Sequence, residues 1–115
     1  MRLLNVFAAL SGALALVMLT IAAHVLQLAE ADHDRMHLGA FIQLAAAAAA
    51  LAIANRSGRL NLVAGAMIVA GAGLFAGVLY TLAITNMSQV VMLAPVGGLT
   101  LIAGWLTLAF AKPGT

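Results

Sequence analysis

The sequence has no cysteine and very few charged residues. Of its 115 residues, 7% are charged and 65% are hydrophobic, whereas a soluble domain has about 25% charged residues. Without cysteine, neither a disulfide framework nor a thiolate metal site can form. The five basic residues are scattered, so nucleic acid is not an expected partner. Because so few charges cannot cover a water-facing surface, we expect one small domain, residues 1–115, in a lipid bilayer.

Four apolar runs, separated by short polar breaks, make up most of the chain. Each is near the roughly 20 residues needed to cross about 30 Å of hydrocarbon as a helix. The alternating polar residues of a barrel lumen are absent from the sequence. The predicted fold is therefore an all-α, integral-membrane four-helix bundle, with helices at about residues 3–28, 38–54, 60–84 and 90–111.

Charge placement predicts the direction of these helices. Arg2, the pair Arg56 and Arg59, and Lys112 lie at the N-terminus, the second break and the C-terminus, whereas all three acidic residues lie in the first break. Because basic residues stay on the cytoplasmic side, both termini are expected to be cytoplasmic. Trp105, with Arg56 and Arg59, is expected to anchor the protein at the membrane interface.

Two of the apolar runs have two explanations each. The first resembles a secretory signal peptide, but its apolar stretch is longer than the roughly 7–15 residues of an ordinary signal, which favours a retained helix. The second, QLAAAAAALAIA, is mostly alanine. Either the genome is GC-rich and favours alanine codons, or the small side chains let this helix lie close to its neighbours.

Three histidines are candidates for chemistry. His24 lies 22 residues after Arg2, about 33 Å along a helix, where it is either an interfacial side chain or a proton carrier or ligand. His33 and His37 share a face if their segment is helical. They are candidates for a zinc-type metal site, and His24 with His37 is a candidate pair for haem ligation. A solvated loop explains the same residues, and we predict no metal, no cofactor and no catalytic residue.

A polar and structural cluster is predicted in the outer third of the membrane, as a small pocket walled by the four helices. Its proposed members are His24, Gln43, Tyr80, Thr81, Pro95, Gly97 and Gly98. Pro95 either kinks the last helix or, if that helix starts near Ala94, occupies its first turn. In both cases we expect the irregular backbone to face the bundle interior, because lipid cannot satisfy it.

Three glycines are candidate helix-packing positions. Gly73 and Gly77 form a small-xxx-small face on the third run, which favours close contact within the bundle or between copies. Gly104 is assigned the same role on the fourth run.

Most of the chain resembles a known family. The stretches LFAGVLYTLAI (Leu74–Ile84) and APVGGLTLIAGW (Ala94–Trp105) are similar to the end of the YgdD-type small inner-membrane proteins. That family is labelled domain of unknown function four-two-three and has animal mitochondrial relatives. At the start of the second helix the family has a tyrosine and a histidine, where this sequence has Gly39 and Gln43. The resemblance implies an integral four-helix protein of the bacterial inner (cell) membrane and supplies no activity.

Three functions are weighed on these observations. The first is a non-enzymatic accessory, assembly or interaction protein of the membrane, because the sequence shows no nucleophile–base pair, no carboxylate dyad within a span and no phosphate loop. The second is an oligomeric carrier or channel for protons or a small solute. The third is a histidine-ligated metal or haem protein. The expected partners are the lipid bilayer and either another membrane protein or further copies of this chain.

Overall fold

The computed structural model describes residues 2–24 and 28–114, and these ranges contain helices and no strand. Helix α1 spans Arg2–His24, α2 Glu30–Ile53, α3 Arg59–Thr85 and α4 Ala94–Phe110. A 3₁₀-helix at Ser88–Leu93 leads directly into α4. α1, α2, α3 and the combined segment Ser88–Phe110 are each long and apolar enough to cross a membrane. The predicted all-α fold of four apolar helices is confirmed.

Helix α2 begins eight residues earlier than the predicted start at residue 38. Glu30 and Asp32 lie in its first turn, where the partial positive charge of a helix N-terminus favours acidic side chains. Arg35 forms an ion pair with Asp32 at 2.5 Å, one turn along the same helix. The hydropathy of the sequence indicates only where the helix enters the hydrocarbon of a membrane. The acidic first turn and the ion pair extend the helix beyond that point.

The other helix ends lie closer to the predicted ones. α3 differs from its predicted range by one residue at each end. For the first helix, residues 25–27 lie outside the described residues, and Leu28, the predicted end, is not helical.

The proline of the last span lies in the first turn of α4. There its missing N–H breaks no hydrogen bond, so Pro95 starts the helix and does not kink it. The preceding 3₁₀-helix has no buried residue, and Met92 is 83% exposed. The expectation that this break faces the bundle interior is therefore wrong. A 3₁₀-helix satisfies its backbone through its own i→i+3 hydrogen bonds, such as Val90 N–H to Met87 O, and needs no protein cover.

The helices form an open, flattened arrangement in which α3 is central. α3 packs against α2 and α4, and α1 packs against α2 and also contacts α3. Among the described residues, no Cα atom of α4 lies within 8 Å of a Cα atom of α1 or α2. The molecule measures 46 × 26 × 18 Å. Because α4 lies apart from α1 and α2, a pocket walled by all four helices, as predicted, does not form.

Alanine fills much of the interior. On α2, Ala40, Ala46 and Ala50 are buried, whereas Ala45 and Ala48 are exposed. The close-packing explanation of the alanine-rich run therefore holds for the inward-facing positions, and the outward-facing alanines lie where a bilayer would contact them.

Glycines set the distance between α3 and α4, and we call Gly71, Gly97 and Gly104 the glycine seam. A Cβ added to Gly71 would lie 2.6 Å from the Leu101 backbone nitrogen, and one added to Gly97 would lie 2.6 Å from that of Phe75. A Cβ on Gly104 would lie 2.9 Å from the Ile68 side chain. The two backbones therefore approach each other where no side chain intervenes.

The predicted packing pair Gly73 and Gly77 lies on a different face of α3. A Cβ added to either glycine meets no described atom within 4 Å. These two residues hold no neighbouring helix in this structure. Gly71, two positions before Gly73, packs against α4 instead.

We expect Gly71→Ala to lower the free energy of unfolding by about 1–3 kcal/mol, because its methyl group would collide with the α4 backbone. Gly73→Ala is the matched control, since it makes the same change two residues away in open space and gains helix propensity. Reversible unfolding in detergent micelles measures both. Equal stability of the two variants would contradict the glycine seam.

Candidate functional site

Three polar side chains form a hydrogen-bonded chain between α1, α2 and α3. The Tyr80 hydroxyl donates to Gln43 Oε1 at 2.7 Å, and Gln43 Nε2 donates to Ser11 Oγ at 3.2 Å. Gln43 is 3% exposed and Tyr80 7% exposed. We call these residues the Ser11–Gln43–Tyr80 chain, and they link three of the four helices through side chains alone.

The local sequence makes room for the tyrosine ring. Gly39 lies one turn before Gln43 on α2, and a Cβ there would lie 3.2 Å from Tyr80 Cε1 and 3.4 Å from Ala76 Cα. Since glycine has no side chain, the ring can lie across α2 and point its hydroxyl at Gln43. Gly39 therefore makes room for the ring, and Gln43 accepts the hydrogen bond from its hydroxyl.

Ser11 and Gln43 lie near the middle of their helices, whereas Tyr80 lies five residues before the end of α3. Ser11 lies nine residues after Arg2, and Gln43 lies ten residues before Ile53. Both distances are about 15 Å along a helix, half of a hydrocarbon core about 30 Å thick. An unsatisfied polar group at that depth costs several kcal/mol. The mutual hydrogen bonds therefore make these three neutral groups tolerable and attach the helices to one another.

Of the predicted pocket residues, only Gln43 and Tyr80 come together. His24 is exposed at the end of α1, thirteen residues from Ser11, about 20 Å along the helix. The Thr81 hydroxyl donates to the Gly77 carbonyl of its own helix at 2.8 Å.

The three predicted pocket residues of α4 are also separate from the polar chain. Pro95 is exposed, Gly97 belongs to the glycine seam, and a Cβ on Gly98 would make an ordinary contact, 3.8 Å from Phe75 Cδ1.

Ser11 was not predicted, because the sequence does not show which face of α1 points inward. Ser11 lies between Ala8 and Ala15, which are buried on one face of α1. A hydroxyl on the inward face of an apolar helix can bond a polar side chain of another helix. Gln43 was the natural candidate, because it is the one amide within the predicted second span.

The candidate metal ligands His33 and His37 stack on each other near the start of α2. Their ring centroids are 4.3 Å apart and the rings are tilted by 39°. His37 Nδ1 lies 3.0 Å from the His33 carbonyl oxygen. A carbonyl can only accept, so Nδ1 is the donor in this contact. Within the described ranges, no three histidine or carboxylate side chains gather as a metal site would require.

A second buried polar residue, Asn61, lies at the end of the molecule that carries Arg2, Arg56, Arg59 and Lys112, here called the basic end. Asn61 is fully buried, and its Nδ2 donates to the carbonyls of Lys112 at 2.6 Å and Ser57 at 3.0 Å. Arg56 Nη1 donates to Asn61 Oδ1 at 3.3 Å. Asn61 therefore attaches the segment after α4 to the start of α3. Sequence analysis did not identify it.

The predicted interface anchors are placed on the surface. Arg59 is exposed at the first position of α3, Arg56 is partly exposed, and Trp105 is exposed on α4. A bilayer interface can therefore contact all three, as an anchoring role requires.

Four apolar helices whose buried polar groups bond to one another define a small protein of the multi-pass membrane class. The chain belongs to the family described as protein of unknown function (DUF423), whose model matches residues 10–98. The matched range includes the whole Ser11–Gln43–Tyr80 chain and ends before Gly104. No curated protein and no solved structure matches the chain.

The Ser11–Gln43–Tyr80 chain predicts energetic coupling between α2 and α3. We expect Tyr80→Phe to lower the free energy of unfolding by about 0.5–2 kcal/mol, because Gln43 Oε1 loses its donor. The double variant with Gln43→Leu should lose less free energy of unfolding than the two single variants lose together. We expect this difference, the coupling energy, to be about 0.6 kcal/mol.

Thr81→Val is the matched control for this cycle, because the Thr81 hydroxyl bonds only within its own helix. We expect it to change stability by less than about 0.5 kcal/mol. Unfolding of all four variants in the same micelles supplies the comparison, and strictly additive losses for Tyr80 and Gln43 would argue against the hydrogen bond.

Proposed function

We propose that this protein is a non-enzymatic accessory or assembly component of a larger complex in the bacterial inner membrane. The observation that carries the proposal is an open groove of about 240 Å³ between α3 and the 3₁₀-helix. We call it the outer groove. Its lining includes Gly73, Gly77, Val78, Thr81, Val90 and Leu93.

The floor of the outer groove suits a partner helix. Gly73, Gly77 and Thr81 follow one another at intervals of four residues, so they form one stripe along α3. Small residues at this spacing let a second helix approach closely in a membrane. The same stripe holds no helix of this chain, because a Cβ on either glycine meets no described atom within 4 Å.

The two alternative functions, a carrier and a metal protein, have less support from the residues that each would use. Gln43 and Tyr80 are buried and uncharged, whereas ionisable groups facing a cavity mark transport pathways. His33 and His37 supply two ring nitrogens, fewer than the three protein ligands of a typical zinc site. An interaction surface on α3 therefore agrees best with the described residues.

A photo-crosslinking residue at Leu93 tests the partner. Leu93 lines the outer groove and is exposed, whereas Leu106 is exposed on α4 and does not line it. In native membranes we expect a discrete adduct with another membrane protein from position 93 and none from position 106. Gly77→Leu should abolish the adduct by filling the groove, and Ala45→Leu on the exposed face of α2 should not.

Two results would count against the accessory function. A diffuse pattern that Gly77→Leu leaves unchanged would mean that lipid covers the outer groove. An adduct at twice the mass of this chain would assign the groove to a second copy and favour the oligomeric alternative.

Single cysteines test the proposed direction, because the protein has none of its own. Ser57 lies at the basic end between α2 and α3, and Ser88 lies at the opposite end after α3. With both termini cytoplasmic, a membrane-impermeant maleimide added to intact cells should label Ser88→Cys and leave Ser57→Cys unlabelled until the membrane is broken. The reverse pattern would invert the proposed topology.

A further inference from the structure

A second groove lies between α1 and α3 and is wholly apolar in its lining. Its volume is about 370 Å³, and its walls include Leu3, Leu4 and Phe7 on α1 and Leu62, Ala66 and Val69 on α3. We call it the basic-end groove. It lies on a part of α3 distinct from the outer groove, and none of the residues that line one groove lines the other.

α1 and α3 pack closely against each other beside the groove. The Leu4 side chain packs on Gly65, where an added Cβ would lie 2.5 Å from Leu4 Cδ2. Leu4 is buried, while the neighbouring Leu3 and Phe7 are exposed along the groove. The two helices therefore cannot close over the cavity without displacing Leu4.

Two arginines at the basic end lie shortly before groove-lining residues on α1 and α3. Arg2 directly precedes Leu3, and Arg59 lies three residues before Leu62, less than one turn of helix. Both are exposed, and neither has a hydrogen bond or ion pair with any described residue. They are also the first residues of α1 and α3, where the helix ends add partial positive charge.

No acidic side chain compensates this charge at the basic end. All three acidic residues of the protein, Glu30, Asp32 and Asp34, lie in the first two turns of α2, at the opposite end. An apolar slot with two unpaired guanidinium groups beside it matches a molecule that has a hydrocarbon tail and an anionic head. Arginine is well suited to phosphate, which it can bind with two parallel hydrogen bonds.

We propose that the basic-end groove binds an acyl chain of an anionic phospholipid, with the lipid phosphate held by Arg2 and Arg59. Basic pockets between membrane helices recognise anionic headgroups, and each nearby arginine contributes roughly a fivefold preference. A zwitterionic lipid carries the same phosphate together with a cation that the arginines repel. The groove therefore selects by headgroup charge as well as by the acyl chain.

Tryptophan quenching by lipids with brominated acyl chains tests the proposal. Trp105 is the single tryptophan, so Trp105→Phe removes the natural tryptophan fluorescence. Adding Phe7→Trp to this variant then places the only fluorescent tryptophan in the groove wall. In bilayers, the quenching should show that phosphatidylglycerol binds beside this tryptophan at least about fivefold more strongly than phosphatidylcholine. Phe41→Trp is the matched probe, 57% exposed on α2, and should be quenched equally by both lipids.

Two sets of variants distinguish the effect of the arginine charges from the effect of the apolar groove. Arg2→Gln with Arg59→Gln should reduce the preference at the Phe7→Trp probe toward one, whereas Arg35→Gln at the opposite end should not change it. Ala66→Leu should also abolish the preference by filling the groove with both arginines intact, and Ala45→Leu on the exposed face of α2 should leave it unchanged. Circular dichroism of each variant checks that the helices are intact.

Three results would overturn the proposal. One is equal quenching of the Phe7→Trp probe by the two lipids, and another is a preference that survives loss of both arginines. The third is quenching far below that of the Phe41→Trp probe, which would mean that a protein helix covers the groove. None of these depends on the outer groove, so the lipid site and the accessory function can fail separately.

Discussion

Close approach between helix backbones is the constraint on which this structure depends. Lipid is as apolar as leucine, so two membrane helices gain little by burying apolar surface against each other, and tight packing must hold them together. α3 meets this constraint on both sides. Gly71 faces the α4 backbone, and Ala76 lies against α2 at Gly39. Where α3 carries glycine with no neighbour, as at Gly73 and Gly77, the same small surface becomes an open groove.

The apolar surroundings also explain why the few polar side chains are so strongly connected. Every buried side-chain nitrogen or oxygen among the described residues has a hydrogen-bond partner. Gln43 links α1 to α3 across α2, and Asn61 links α3 to the segment after α4. The second link matters because the backbone of α4 lies apart from those of α1 and α2. Together with the glycine seam, it holds α4 in place at the basic end.

The number, type and approximate span of the helices were predictable from the sequence, because each apolar run matches the thickness of a bilayer. The start of α2 was not, since residues such as Glu30 and Asp32 continue a helix for electrostatic reasons that hydropathy does not register. The face of a glycine depends on which neighbour packs there, so the sequence could not distinguish Gly71 from Gly73. Gln43 and Tyr80 were placed in one cluster correctly, but their partner Ser11 became evident only from the packing of α1.

Both grooves result from the way α1 and α4 lie on α3. The grooves suit different occupants because only one of them has charged residues nearby. α4 and α1 lie against different parts of α3 and do not meet, so α3 is left partly uncovered in two places. At the outer groove the exposed stripe is neutral, and its one hydroxyl, on Thr81, is already bonded to Gly77. Such a surface complements another apolar helix. At the basic-end groove the arginines that begin α1 and α3 add charge beside an apolar slot, and an uncharged helix would leave that charge unmatched. A phospholipid with an anionic head complements both parts.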